Sequence, residues 1–455
     1  MKRIRTASIA TLGCKLNQSE SDRMMRELSS AGVVIVPFGQ PADLCLINSC
    51  TVTHIGDRKS RQLIRQATRA NPGAFVAVTG CYAELEPEAV SAIEEVAAVL
   101  GNAGKDRLIE SLREYWLELG TERRNDNVGA GGPATQHPSR TRAFVKIQEG
   151  CDNHCSYCIV PRARGHQRSL STEEILDEIR RLVAAGCQEA VLTGVNITAY
   201  GRDQGASTAR ESARGIGLVR LLERILSDTE ISRVRLSSLQ PEDWNPRFHE
   251  LWTTGRLCRH LHLSLQSGSD AVLRRMRRRY NTGQYARIVE EARRELPGVA
   301  ITTDVITGFP GESEAEHLET ESFLHSIGFA GLHVFKYSPR AGTDAAAMAD
   351  QVDPRVKQER SDLLIALAGE MSRQFRVQLA GSVLSALWEE PLPSTRARSL
   401  GIDARGGRIW WSGISDNYVR VYAAGPASLQ GTVSGARIGP VVGDGVVGTM
   451  VRSKA

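Results

Sequence analysis

The segment Gly150-Cys-Asp-Asn-His-Cys-Ser-Tyr-Cys158 places three thiols close together, Cys151, Cys155 and Cys158, in a C-x3-C-x2-C spacing. Three thiolates this near along a chain can wrap one corner of a cubane iron–sulfur cluster and bind three of its irons. The next cysteine is Cys187, so the fourth iron receives no ligand from the neighbourhood. An open coordination position marks a catalytic metal rather than a structural one. The alternative is zinc, closed by His154 or His166 as a fourth ligand. Against it, His154 lies inside the tight loop and the paired C-x2-C partner of a zinc ribbon is missing.

Cys14, Cys50 and Cys81 are far apart in sequence, but each follows a run that reads as a strand: Ser8–Gly13, Leu44–Ser49 and Phe75–Gly80. If those strands are parallel, the three thiols share one edge of one sheet, where α/β folds build their sites. Helices starting just beyond would favour thiolate over thiol through their positive ends. Cys45 sits mid-strand and reads as packing, as do Cys187 and Cys258. Nine cysteines is an odd number, which argues against complete disulfide pairing.

The elements that must position these groups are read from periodicity. In the first hundred residues, strands Ile9–Leu12, Asp43–Ile47 and Phe75–Val78 alternate with helices near Ser19–Ala31, Asp57–Ala70 and Glu86–Glu95, which predicts a parallel α/β sheet. Residues 123–140 are aperiodic and rich in Gly, Asn and Pro, a linker between a first domain of residues 1–122 and a second of residues 141–371. From residue 141 a new series begins. Its strands are Ala143–Gln148, Ala190–Thr193, Arg233–Ser237, His260–Leu265, Ala300–Ile306 and Gly331–Phe335. The helix Ser171–Ala185 takes Ser171 or Thr172 as its N-cap. Six such strands predict a partial, open (β/α)6 barrel with its chemistry at the strands' carboxyl ends. In residues 372–455 the helical rhythm gives way to short strands, and a small β-barrel is expected.

The chain has 455 residues, 41% of them hydrophobic and 24% charged, with a net charge of +5. That composition is globular and needs more than one core. The longest apolar runs are too short to span a bilayer, and no apolar signal core comes after the basic start. The reading is a cytoplasmic protein. Charge is uneven: from Met371 to the end, ten Lys/Arg face five acids, which suits either a polyanion partner or a solvated basic surface.

The C-x3-C-x2-C loop, with Tyr157 before its last cysteine and a partial βα barrel around it, resembles the radical S-adenosylmethionine (SAM) superfamily. The adjoining Ile159-Val-Pro-Arg-Ala-Arg-Gly-His-Gln-Arg-Ser169 resembles the methylthiotransferase branch, as does the first domain with its cysteine trio. The resemblance implies two [4Fe-4S] clusters held by Cys151, Cys155 and Cys158 and by Cys14, Cys50 and Cys81. It also implies SAM as methyl donor and radical source, and a reduced flavodoxin or ferredoxin as electron donor. SAM and substrate would be lined by Tyr157, Gly194, Asn196, Ser237, Ser264, Gln266 and Asp304. No catalytic residue beyond the cluster ligands is expected.

Within the branch, Thr11-Leu-Gly-Cys-Lys-Leu-Asn-Gln-Ser-Glu20, Asn48-Ser-Cys-Thr-Val-Thr53 and Asp57-Arg-Lys-Ser-Arg-Gln62 resemble enzymes acting on N6-threonylcarbamoyladenosine beside the tRNA anticodon. Relatives act instead on isopentenyladenosine or on an aspartate of a ribosomal protein. Outside enzymology, the alternative is an RNA-binding protein stabilised by metals. Arg58, Lys59, Arg61 and Arg65 form a basic helical cluster that could bind the threonyl carboxylate, contact phosphate, or merely be solvated. The last segment resembles the TRAM domain, an RNA-binding barrel, with Trp411, Tyr418 and Arg420 as candidate contacts. The aromatics Trp410 and Tyr422 lie beside them, and some of these rings must fill the barrel. The run Arg274–Arg279 reads as either a nucleic-acid backbone contact or a solvated helix face.

Overall fold

The computed structural model describes residues 4–118, 141–204, 216–403 and 408–451, so the expected linker lies outside the described residues. The chain divides into two compact units. One holds residues 4–118 with 149–153 and 158–167; the other holds the remaining described residues.

The first unit carries strands β1 (Thr6–Thr11), β2 (Val34–Val36), β3 (Leu44–Ser49), β4 (Phe75–Gly80) and β5 (Val96–Val99). All pairings are parallel, in the order β2-β1-β3-β4-β5. Every residue of the central β3 is buried, and its first four, Leu44–Ile47, form the apolar run expected of a strand covered on both faces. The edge strands β2 and β5 are too short to show a period and were not expected. Helices α1 (Lys15–Ser30) and α2 (His54–Ala70) come after β1 and β3. A short α3 (Cys81–Leu85) precedes the helix expected over Glu86–Glu95, which is cut to α4 (Pro87–Ser91). Pro87 opens the second, where its missing N–H costs nothing. Helix α5 (Leu108–Glu118) closes the unit. Cys45 is buried in one face of the core with Ile47, Ile64 and Val78, as its mid-strand position required.

The second unit contains all six expected barrel strands in two parallel sheets. One holds Arg142–Lys146, Glu189–Thr193 and Arg233–Leu236; the other holds Ser238–Leu239, His260–Leu263, Ala300–Thr307 and Gly331–Lys336. Ser171 caps helix Thr172–Ala184 with a full capping box to Glu174.

Five strands beyond this form a closed barrel: Val383–Pro391, Ile409–Ser415, Arg420–Gly425, Val433–Val442 and Gly445–Met450. The preceding helix, Pro354–Gln378, runs past Ser372, where the helical rhythm was expected to stop. Its continuation has a packing reason, since Phe375 and Leu379 join the barrel's core with Trp388, Trp411 and Val421.

The turn of the end barrel after Ile409–Ser415 caps the amino ends of the parallel strands. Glu189, fully buried, accepts from Arg233 at 2.5 Å and from Arg235 at 2.7 Å. The two arginines donate onward to the carbonyls of Ile414, Ser415 and Asp416, and Arg259 pairs with Asp416 at 2.6 Å. The joint therefore lies opposite the carboxyl ends, where the site is expected. Burial would raise Glu189, but the two guanidiniums outweigh it and hold the carboxyl down at about 2.

Replacing Glu189 with Gln leaves two buried guanidiniums unneutralised, and removing one partner of a buried ion pair costs about 3–5 kcal/mol. The expected result is a lower urea midpoint at neutral pH. Because the folded pKa is depressed, the carboxylate's contribution is full above the ordinary Glu value of about 4.3. It fades as pH falls toward about 2. The gap between native and variant midpoints should therefore shrink in acid; a gap that is absent or grows there contradicts the pairing.

Candidate metal centres and cofactor pocket

Strands β1, β3 and β4 end side by side, with Thr11 paired to Asn48 and Ser49 to Gly80. Cys14, Cys50 and Cys81 lie just past these ends, as the sequence predicted. Two glycines allow the crowding. Gly13 adopts φ +103°, and a Cβ there would stand 2.9 Å from Cys50 Cβ and 3.0 Å from its Sγ. Gly80 adopts φ +97°, where a Cβ would meet the Ser49 carbonyl oxygen at 2.3 Å. Burial pushes the Cys50 thiol up to about 11, and the neighbouring Cys81 and Cys14 thiols push the same way against Val52 and Arg164.

Three clustered thiolates need positive charge, and a buried network supplies it. Glu20 accepts from Lys105 Nζ at 2.6 Å and from Arg164 Nη1 at 2.7 Å. All three side chains are almost wholly buried, with 1%, 1% and 3% exposed for Glu20, Lys105 and Arg164. Burial lowers Lys105 against the pull of Glu20. Burial also opposes the charge on Arg164, but Glu20, Cys81 and Cys14 outweigh it and keep the guanidinium charged. Asn17 knits the corner, donating to the carbonyls of Leu12 and Ser49 and accepting from Arg164. Sequence reasoning missed Glu20, Lys105 and Arg164, since their partners lie 85 and 144 residues apart.

The donor set fits a cluster better than a single zinc ion. Zn–S bonds of about 2.3 Å in a tetrahedron hold sulfurs about 3.8 Å apart. Cys14, Cys50 and Cys81 do not gather this tightly. Among the described residues, the one His/Cys/Asp/Glu group with all ligand atoms within 4.8 Å is His262, Asp304 and His333. A cubane spreads its irons and so tolerates wider spacing.

In the other trio, Cys151 Sγ accepts from the Asn153 N–H at 3.4 Å, and Cys151 N–H donates to Gly165 at 3.2 Å. Cys155 Sγ accepts from Arg278 Nη1 at 3.1 Å. Arg278 is buried, and its other nitrogen reaches Gln240 and Glu242. Cys151, Cys155 and Cys158 are all partly exposed. The zinc alternative loses one candidate ligand, because the His166 ring is held by Asp152 at 2.9 Å and is 99% exposed. The arginine run proves mixed: Arg278 serves Cys155, Arg275 pairs with Glu316 at 2.8 Å, and Arg277 pairs with Asp344 at 2.5 Å.

The residues expected around SAM divide in role. Tyr157 packs edge-on against Phe309 at 6.5 Å. Gly194 is required by Gln148, whose carbonyl oxygen would stand 2.8 Å from an added Cβ. Asn196 is buried and accepts from Thr198 at 2.7 Å. Ser237 and Ser264 are buried beyond strands Arg233–Leu236 and His260–Leu263, and the Ser237 hydroxyl has no partner among the described residues. Gln266 holds φ +71°, a left-handed backbone that a non-glycine residue keeps only under constraint. Its backbone bridges Asp304 and Ile306. Burial would raise Asp304, but His262 and His333 hold its carboxyl well below the usual range.

On α2, Arg58, Arg61 and Arg65 recur on one stripe, which Arg69 extends. Lys59 lies about 100° round the helix from Arg58. Arg61 also donates to the Tyr82 hydroxyl at 3.1 Å. In the end barrel one expected RNA contact is corrected. Trp411 is 2% exposed and fills the core, because a five-stranded barrel must pack its interior. Tyr418 stacks on His260 at 4.4 Å and lies under Arg235, yet 40% of it remains exposed. Arg420 donates to Ser412 at 2.7 Å and faces Asp444 at 3.6 Å.

Glu20→Gln leaves Arg164 buried without its carboxylate. It should lower the urea midpoint by an amount equivalent to about 3–5 kcal/mol; an unchanged midpoint contradicts the buried pairing.

Residues 145–324 match the Radical SAM superfamily, and residues 6–101 match the Uncharacterized protein family UPF0004. The threonylcarbamoyladenosine tRNA methylthiotransferase MtaB of Bacillus subtilis is 37% identical over 440 residues, covering 95% of this chain and 93% of that protein. Its Thermotoga maritima counterpart is 36% identical, covering 85% and 87%. A tRNA-2-methylthio-N(6)-dimethylallyladenosine synthase of Nitratidesulfovibrio vulgaris is also 36% identical, covering 85% and 86%. The structure of the radical SAM methyltransferase TsrM from Kitasatospora setae shares the fold, with TM-score 0.53 and 14% identity over 84% of this chain and 81% of that one. With thiol trios at both expected strand ends and similarity along nearly its whole length, the chain belongs to the radical SAM tRNA methylthiotransferases, enzymes that use SAM and [4Fe-4S] clusters.

Proposed function

We propose that this chain transfers a methylthio group to C2 of N6-threonylcarbamoyladenosine beside the anticodon of tRNA. The full-length similarity to the MtaB proteins carries this reading, and the residues around Cys14, Cys50 and Asp57 support it.

Cys151, Cys155 and Cys158 would hold one cluster, and Cys14, Cys50 and Cys81 the other. When bound, the clusters and SAM supply the radical-generating electron, the methyl group and the sulfur. The chain's own residues prepare both places. Arg278, donating into Cys155 Sγ, offsets thiolate charge at the first; a hydrogen bond to a cluster sulfur is one lever on its potential. Arg164 does so at the second from a buried position. The Ser237 hydroxyl, without a partner among the described residues, would offer SAM a hydrogen bond, and Tyr157 is held edge-on against Phe309 beside the cysteine loop. The arginine stripe on α2 takes the threonyl carboxylate or nearby phosphates; guanidinium suits either through paired N–H groups. The chain works in the cytoplasm, with a flavodoxin- or ferredoxin-class protein as reductant.

A second reading keeps the chemistry and takes the dimethylallyladenosine acceptor of the Nitratidesulfovibrio relative. Mass spectrometry of tRNA nucleosides separates the two. A strain lacking this chain should lose the methylthio form of threonylcarbamoyladenosine and keep that of the isopentenyl nucleoside; the reverse pattern overturns the assignment.

Binding to tRNA gives a second check. Arg58→Ala with Arg65→Ala should weaken binding and flatten the slope of log K against log salt by about 0.7–0.9 per lost phosphate contact. A weaker complex with an unchanged slope points to carboxylate recognition; no change at all removes the stripe from the interface.

A further inference from the structure

Three neighbouring strands of the second unit bring one metal-binding side chain each to a single point. His262 lies on His260–Leu263, Asp304 on Ala300–Thr307 and His333 on Gly331–Lys336. Asp304 and His333 are register partners, and His262 pairs with Thr302 on the same face of the middle strand. His262 Nε2 stands 3.2 Å from Asp304 Oδ2, and His333 Nδ1 stands 3.2 Å from Asp304 Oδ1. All three ligand atoms lie within 4.8 Å of one another.

These spacings suit a first-row divalent ion. Metal–ligand bonds of about 2.1 Å place adjacent donors about 3.0–3.4 Å apart. Two imidazoles and one carboxylate on one side of an ion make a facial set that leaves other positions open. The surroundings support ligation. Thr302 Oγ1 lies 2.9 Å from His262 Nδ1, the nitrogen left over when Nε2 binds a metal, and 2.9 Å from His260 Nε2. Such a partner on the far nitrogen orients a ligating histidine. Exposure rises across the trio, from 8% for His262 through 25% for Asp304 to 66% for His333, so the open positions face solvent.

We propose that His262, Asp304 and His333 form a binding site for one divalent transition-metal ion of the zinc class, separate from both cysteine trios. Its vacant positions are available to water or to a carboxylate ligand. The competing account is a hydrogen-bonded His–Asp–His chain without a metal.

The test uses full-length protein with its clusters reconstituted, exchanged anaerobically into metal-free buffer and titrated with Zn2+. The native protein should retain one zinc per chain, with a nitrogen and oxygen shell in X-ray absorption. His333→Ala, at a mostly exposed position, and Asp304→Asn should each weaken retention more than tenfold while iron content stays at the native level. No retained zinc in the native protein, equal zinc in both variants, or sulfur at about 2.3 Å in the zinc shell would each overturn the proposal. Zinc lost together with iron in either variant also overturns it, since that ties the ion to the cysteines.

Discussion

Three thiolates at one sheet edge repel one another, and no such site can stand without positive charge held close. Here that charge is buried and permanent. Arg164 reaches the corner where β1, β3 and β4 end, and Glu20 fixes its orientation. Without Glu20 the guanidinium would be an unpaired buried ion; the guanidinium in turn pulls Cys50 toward thiolate, against burial and the neighbouring Cys81 and Cys14. Glycine is then a steric necessity at both 13 and 80, because a side chain would crowd Cys50 at the first and strike the Ser49 backbone at the second. Arg164 belongs to the segment just after Cys158, so the second trio is completed by a residue of the stretch that adjoins the first.

The parallel strands impose the rest. Their carboxyl ends gather the pocket, while their amino ends would present buried backbone and charge to water unless covered. Glu189 with Arg233 and Arg235 solves this by binding the carbonyls of the end barrel's turn. The cost is a left-handed backbone at Tyr418, φ +64°, retained because its ring is clasped by His260 and Arg235. The end barrel is thus a structural cover as well as the expected RNA module, and Trp411, one of the rings that suggested base stacking, serves its core.

Most of the architecture was legible because its signals are local. The six barrel strands, the Ser171 cap and the strand-end placement of Cys14, Cys50 and Cys81 each rest on runs of neighbouring residues. What escaped was non-local. Strands β2 and β5 owe their pairing to neighbours, not to a period of their own. Lys105 carries no motif, and the motifs that contain Glu20, Arg164 and Arg278 do not show their partners; these roles appear only when segments more than eighty residues apart meet. The extended signature pointed to a family without revealing that one of its arginines crosses to the other thiol trio. Trp411 shows the converse: composition suggested a surface role, and packing claimed it.

The central claim is that two separate cysteine trios each hold a four-iron cluster. Iron analysis with Mössbauer spectroscopy on anaerobically reconstituted protein tests it most directly, comparing the native chain with variants carrying alanine at Cys151, Cys155 and Cys158, or at Cys14, Cys50 and Cys81. The account predicts about eight irons per native chain and about four, still in a cubane, in each variant. Four irons in the native chain, or loss of all iron from either variant, would contradict it.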